Sequence, residues 1–288
     1  MRKLIFAPLL LLAVLAVTAT ASGRLSAPSQ TAKCGAATVK AGQLTIGTDN
    51  PAYPPWFAGG ELKGSKWKIN DPATRKGFES AVAYAVALQL GYTNAQVRWV
   101  YTPFAKAYAP GKKAFDFDIN QVSFTPARAR VVAFSSSYYD VNQALVALKG
   151  KPLASVRSIA GIKKYKLGAQ LGTTSYQYIV KTIKPTRSPA VYDTNDAAVA
   201  ALKNGQIDGL VVDLPTAFYV TAAQIEYAKI VGQFRAPAGG EHFGLVLQKG
   251  SPLVACVNTA LATLKKSGQL KKIQQTWLAK VTGAPVLK

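Results

Sequence analysis

The chain has 288 residues, 49% of them hydrophobic, enough for one large or two modest domains. Lys and Arg number 35 against 13 Asp and Glu, a formal net charge of +22. The lysines fall in dispersed pairs such as Lys163-Lys164, Lys265-Lys266 and Lys271-Lys272, without the aromatic interleaving of a nucleic-acid platform, so they read as solvated faces and nucleic acid is excluded as a partner.

Residues 1–21 read as an export signal. Arg2 and Lys3 precede an apolar run from Leu4 to Val17, and Ala19 and Ala21 have the small-residue spacing of a cleavage site. That run is too short for a comfortable membrane span and no later one is long enough, so the mature chain is expected to be soluble and exported, to a periplasm or cell envelope or beyond it. Residues 22–42, rich in Ser, Ala, Thr and Gly, read as a flexible leader. Cys34 and Cys256 are an even pair in an exported chain, which favours one disulfide; lipidation of Cys34 and two buried thiols are the weaker alternatives.

Residues 44–48 alternate as a strand that ends in a Pro-stiffened loop from Asp49 to Phe57. Beyond a polar, Gly-rich stretch, Phe78, Ala81, Val82, Ala85 and Leu88 recur at helical spacing until Gly91. Residues 97–100 and 115–122 are strand candidates, and Pro126 is placed to begin a helix. A buried strand is expected at 144–148, a helix near Ile159, a strand at 166–170, and a helix opened by the turn 171–175. Asp196 is expected to cap a helix running to Leu202, and a strand over 207–212 finishes at Asp213. An apolar strand at 243–247 precedes two closing helices carrying Leu261 and Leu264, then Leu270, Ile273 and Trp277. Strands alternating with helices argue for an α/β protein with helix-covered sheets. There is no internal repeat.

Arg128 offers a planar fork of donors that can grip a carboxylate, although a Thr-Pro-x-x-Arg run by itself is ordinarily a helix start with a solvated Arg. The hydroxyls of Ser123 and Thr125 can accept from an ammonium or cap that helix. Thr173, near the start of the helix after Gly172, can add donors for an anion. Asp213 suits an ammonium partner or a helix cap; Tyr53 suits a ligand-covering ring or the core. Asp49, Trp56, Glu79, Asn120 and Gln121 can read a ligand side chain, against the alternatives of capping, packing and turn bonding. Asp49 or Glu79 in a cleft would suit a cationic side chain, Asn120 and Gln121 a polar neutral one. His242, the single histidine, reads as packed or exposed, and no metal-ligand cluster, nucleophile elbow or cofactor motif is present.

The run Ser123, Thr125, Pro126, Arg128, then Val132, Phe134, Ser135 and Tyr139, resembles the signature of the amino-acid-binding group (family 3) of extracellular solute receptors of bacterial ABC importers. Tyr53-Pro54-Pro55, Gly77-Phe78-Glu79, Gly172-Thr173-Thr174, Asn204 to Asp208 with Asp213 and Pro215, and Gly268-Gln269-Leu270 with Ile273 and Trp277 extend the resemblance from Leu44 to about Trp277. Ala127 and Ala81 stand where acidic residues are usual, and Gln121 where Gly or Ala is common. The resemblance implies a two-lobed type II periplasmic-binding fold, with lobe 1 from 43–139 plus 243–288, lobe 2 from 140–242, and crossings near 139–143 and 240–244. It implies a monomer without enzymatic activity that takes an amino acid or similar zwitterion and delivers it to a membrane permease driven by an ATPase. Arg128 would hold the carboxylate, while Asp213, Ser123 and the backbone of Gln121 would hold the ammonium. A dehydratase built on the same fold is the alternative.

Overall fold

A computed structural model describes residues 34, 38–235, 240–281 and 283–288; the export signal and most of the leader lie outside the described residues. Its strands are β1 (Leu44–Thr48), β2 (Val97–Tyr101), β3 (Phe117–Asp118), β4 (Val132–Val141), β5 (Gln143–Leu148), β6 (Leu167–Gln170), β7 (Ala190–Tyr192), β8 (Gly209–Asp213), β9 (Ala228–Gln233) and β10 (Glu241–Gln248). The helices that matter here are α1 (Phe78–Gln89), α2 (Pro126–Ala129), α3 (Thr174–Tyr178), α4 (Asn195–Lys203), α5 (Leu214–Tyr219), α6 (Leu253–Lys266) and α7 (Gln269–Leu278).

Two five-stranded mixed sheets result, ordered β2-β1-β3-β10-β4 and β7-β6-β8-β5-β9. They form the cores of two lobes, and the chain passes from the first sheet to the second between β4 and β5 and returns between β9 and β10. In β5, Ala144 and Val146 join one apolar cluster while Leu145 and Ala147 join another. The second sheet is thus buried on both faces, which is why β5 and β8 read as unbroken apolar runs and not as alternating ones. In the first lobe, Leu44, Ile46, Phe243 and Leu245 pack with Phe78 and Val82 of α1 and Val257 and Leu261 of α6. Each such side chain contributes about 1.5–3 kcal/mol on full burial.

Cys34 and Cys256 are joined by a disulfide, Cα to Cα 6.1 Å, tying residue 34 to α6. A bridge closing so long a loop contributes roughly 2–5 kcal/mol, mainly by restricting the unfolded chain. The Tyr53–Phe57 loop lies across the start of α1, where the amides of Phe78 and Glu79 donate to the carbonyls of Pro55 and Trp56. Gly77 permits this approach, with φ +93° and a would-be Cβ only 2.4 Å from Phe57 Cα.

Several expectations shift. The strand expected over 115–122 shrinks to Phe117–Asp118 because the chain turns away at Gln121, φ 48°. The cap of α4 is Thr194, whose side chain accepts from Ala197 N; Asp196 sits within the first turn instead. The expected boundary assigns all of 243–288 to the first lobe, but the last residues lie against β9 of the second. Gln233 N donates to Pro285 O at 2.7 Å, Leu287 N to Gln233 O at 2.9 Å, and Val286 bridges Gln233. Leu287 is buried over Gly232, whose would-be Cβ is 2.7 Å from Leu287 Cγ, so only a residue without a side chain leaves the tail its seat.

Candidate functional site

Between the lobes lies a cleft of about 650 Å³. Its first-lobe wall comes from the loop after β1, the segment after β2 and the turn between β3 and α2. The other wall comes from the starts of α3, α4 and α5. The lobes touch across it: Tyr53 donates to Asp196, Trp56 Nε1 to Thr216 Oγ1 at 3.3 Å, and Arg128 Nη2 to Gly172 O at 2.8 Å. These contacts describe a closed arrangement.

Arg128 is placed by its helix start. Thr125 caps α2 by accepting from the Arg128 amide at 3.2 Å, and Pro126 occupies the first turn, where its missing N–H costs nothing. The guanidinium is buried, stacks on Tyr108 with its carbon 4.2 Å from the ring centre, and donates to Ser123 O at 2.6 Å as well as to Gly172 O. A guanidinium has five donors, so some remain for a carboxylate. Burial pulls its pKa down, partly opposed by Tyr108, Asp213 and Glu241.

Asp213 ends β8 and precedes α5, yet its side chain makes no cap hydrogen bond to that helix. Its Oδ1 accepts from Gln143 Nε2 at 2.6 Å. Burial, then the neighbouring Glu241, push its pKa well above the usual carboxylate range, opposed by Gln143 and Arg128. A carboxylate placed so is stabilised by an arriving cation.

Asp49, Tyr53, Trp56, Asn120, Gln121, Ser123, Arg128, Thr173 and Asp213 all line the cleft. Asp49 accepts from Asn50 N at 2.8 Å, and burial raises its pKa. Trp56 is both wall and core, packed against Phe78, Tyr139 and Phe243. Asn120 is buried and its Nδ2 has no hydrogen-bond partner among the described residues, which leaves a donor at the cleft. Thr173 caps α3, accepting from Tyr176 N at 3.1 Å and donating to Gln170 O at 2.7 Å, so its hydroxyl proton is already engaged.

Glu79 does not line the cleft. It is fully buried beneath it, accepting from Gln121 N at 2.7 Å and from the Gln121 side chain and Tyr138 hydroxyl. Burial pushes its pKa up to about 7 against those three hydrogen bonds. It shapes the Gln121 turn from below, and an expected role in reading a ligand side chain does not fit that position. His242 stacks on Phe124, ring centres 5.4 Å apart, as a packed residue.

Gln143, Thr174, Asp196, Phe104 and Tyr108 belong to the site or its support but escaped the sequence reading. One signal was available for Gln143, a polar residue opening an otherwise apolar strand. Asp196 was visible only as a cap, because nothing local shows that Tyr53 will face it.

Two lobes on mixed sheets, joined by two crossings and closed over a polar cleft, define a binding protein that encloses a small solute. Residues 44–280 match the bacterial extracellular solute-binding proteins, family 3, and the chain belongs to that family. It is 29% identical to an arginine-binding periplasmic protein of Mannheimia haemolytica over 79% of this chain and 88% of the other. An ancestral arginine-binding protein bound to arginine is similar with a TM-score of 0.66 at 30% identity, covering 82% of this chain and 98% of that one. An ancestral amino acid-binding protein described as a precursor of cyclohexadienyl dehydratase is similar at 27% identity, TM-score 0.65, over 82% and 95% of the two chains.

Proposed function

We propose that this protein is the exported, monomeric receptor of an ABC importer and that its cleft takes an amino acid with a cationic side chain, passing it to a permease driven by an ATPase. The carrying observation is the charge of the cleft. In a chain of net charge +22, the residues lining it include Asp49, Asp193, Asp196 and Asp213 but one cation, Arg128. Asp193 and Asp196 lie at the exposed rim, but Asp49 and Asp213 are half-buried. With Arg128 taken by the α-carboxylate and Asp213 by the α-ammonium, a neutral or acidic side chain leaves Asp49 without a cation, and a cationic one supplies it.

In this reading Arg128 grips the α-carboxylate, Asp213 and Ser123 take the α-ammonium, and the side chain runs toward Asp49 between Tyr53 and Phe104, whose ring faces favour a cation. Thr173 acts by holding α3 so that its free amides face the carboxylate. The lobes, roughly 43–139 with the C-terminal helices and 140–242, close about the crossings near 139–143 and 240–244. Relatives named for arginine binding support this reading. The protein is a binding protein and not an enzyme: the curated relatives carry binding names, and the dehydratase link runs through an ancestral binding protein. Among the described residues no helix is long and apolar enough to cross a membrane.

Calorimetry on the oxidised protein with L-arginine, L-lysine, L-glutamine and L-glutamate is the test. Arginine or lysine is expected to bind at least about a hundredfold more tightly than glutamate, the equivalent of about 2.7 kcal/mol. Equal or tighter glutamate binding overturns the cationic assignment, and no binding of any of the four overturns the receptor reading.

A further inference from the structure

Behind Ser123 and Asp213 stands a residue that the reading above leaves idle. Glu241 opens β10 and does not itself line the cleft. Its Oε1 accepts from Ser123 Oγ at 2.6 Å, and both its carboxylate oxygens lie 3.1 Å from Gln143 Nε2. Gln143 is held in that pose from its other end, where Oε1 accepts from Ser175 Oγ at 2.6 Å. Its amide nitrogen therefore presents one proton to Asp213 and the other to Glu241.

We propose that Glu241 is a positioning residue that fixes Ser123 as a hydrogen-bond acceptor and so sets the selectivity of the cleft for a ligand ammonium. A serine hydroxyl has one proton and two lone pairs. Here the proton is directed to a carboxylate, the stronger class of acceptor. The hydroxyl of Thr174, 3.3 Å from Ser123 Oγ, then serves as donor to Ser123, and what Ser123 offers the cleft is a lone pair. An ammonium fits that lone pair together with Asp213. A ligand with a methylene at this point leaves the remaining lone pair of Ser123 and the free side of the Asp213 carboxylate unmatched, which is the situation in which polar sites discriminate most strongly. Glutamine at position 241 would keep one neutral acceptor oxygen, for which Ser123 and Gln143 compete, in place of a carboxylate, so the hold on the Ser123 proton would weaken without removing any group from the cleft.

The inference rests on the ammonium site assigned under Proposed function. The test compares L-arginine with 5-guanidinopentanoate, the same molecule without its α-amino group, by calorimetry on the full oxidised chain. Glu241→Gln is expected to weaken arginine and leave the analogue nearly unaffected, so that the preference for arginine falls about tenfold or more. A purely structural role in the hinge would weaken both ligands alike, and a constant ratio overturns the proposal. Should the Gln variant not fold, Ser123→Ala carries the test: removing the oriented hydroxyl must lower the same ratio, and an unchanged ratio overturns the proposal. Wild-type protein that binds neither L-arginine nor L-lysine removes the underlying reading and this inference with it; if lysine alone binds, 6-aminohexanoate replaces the analogue, and a fixed ratio in a wild type that binds overturns the inference alone.

Discussion

Helix starts on the two walls of the cleft look alike in sequence and differ in what their side chains do. At Thr125 on the first wall, and at Thr173 on the second, the hydroxyl accepts the amide of the third residue on and closes its own helix. At Asp213 a carboxylate stands in the same place before α5, with Pro215 in the first turn, yet makes no such bond and instead meets Gln143 at the cleft. A cap satisfies the backbone locally and stabilises the fold. A cap-competent residue that leaves its own helix unserved, half-buried at the cleft and raised in pKa, is available to a ligand. The comparison separates scaffold from site among residues that composition and spacing cannot tell apart.

Asp213→Asn breaks the comparison most sharply. Asn has the shape of Asp but no charge for an ammonium, so ligand affinity should fall by on the order of 4 kcal/mol. The unliganded melting temperature should not fall, because no cap is lost and a carboxylate whose charge is disfavoured is replaced by a neutral group. Ligand-induced compaction should shrink as well, since a ligand shifts closure only by its differential affinity for the two states. Titration with small-angle scattering reads both quantities. Normal affinity and normal closure would return Asp213 to the scaffold.

The next effect comes from beneath the cleft floor, where Glu79 serves the Gln121 turn as the threonines serve their helices. Its folded-state pKa, about 7, lies above the ordinary value of 4.5. Between those values the native chain holds more protons than the unfolded one, so stability is greatest at the acid end, declines as pH rises from about 4.5 to about 7 and then levels. This group alone contributes about 3 kcal/mol to that decline. Buried Asp118 and half-buried Asp213, also raised, act in the same direction. Denaturation curves at pH 5 and pH 8 should therefore differ, and Glu79→Gln should flatten the difference; a wild type more stable at pH 8 would contradict this account of the floor.

Arg128→Lys tests the first-wall counterpart of Asp213. Lysine keeps the charge but loses the fork that spans Ser123 O, Gly172 O and the ligand, and affinity should drop by about 2 kcal/mol. Calorimetry showing unchanged affinity in a folded Lys variant would take Arg128 out of the site.

Much of this was legible in the sequence because the physics is local. Strands buried on both faces announce themselves as apolar runs, and Pro126 behind Thr125 marks a helix start whatever follows. Arg128 and Asp213 were singled out by the family resemblance, since by themselves a Thr-Pro-x-x-Arg run and a strand-end carboxylate read as a helix start with a solvated Arg and as a cap. What escaped depends on contacts between distant segments. Asp196 is a helix residue until Tyr53, 143 positions away, donates to it from the other lobe. Glu241 matters because β10 pairs beside Ser123 and brings two residues 118 positions apart to hydrogen-bond distance. The C-terminal tail was assigned to the first lobe with the helices before it, and only its contacts with Gly232 and Gln233 show that it docks on the second. Glu79 was misjudged for the converse reason: an acid in the first turn of a helix is ordinarily a dipole partner near solvent, and the Tyr53–Phe57 loop that covers it comes from elsewhere in the chain.

The smallest effect sharpens the comparison from the scaffold side. Thr125→Ala removes the acceptor of the Arg128 amide, and losing a cap of this kind costs about 1 kcal/mol of stability. Thr125→Ser retains the oxygen and should recover most of it. Asp213→Asn should give the opposite pattern, a large loss of affinity with no fall in unliganded melting temperature, so the two variants measured together by thermal melt and titration form a crossed pair. If Thr125→Ala instead leaves the melting temperature unchanged, the hydroxyl is not closing its helix and the division between capping threonines and a ligand-facing aspartate fails. The short α2 makes this a demanding test: with four helical residues it has little propagation energy of its own, so the cap bond is a large share of its local stability, while the Arg128 guanidinium stays held by Ser123 O, Gly172 O and the Tyr108 ring.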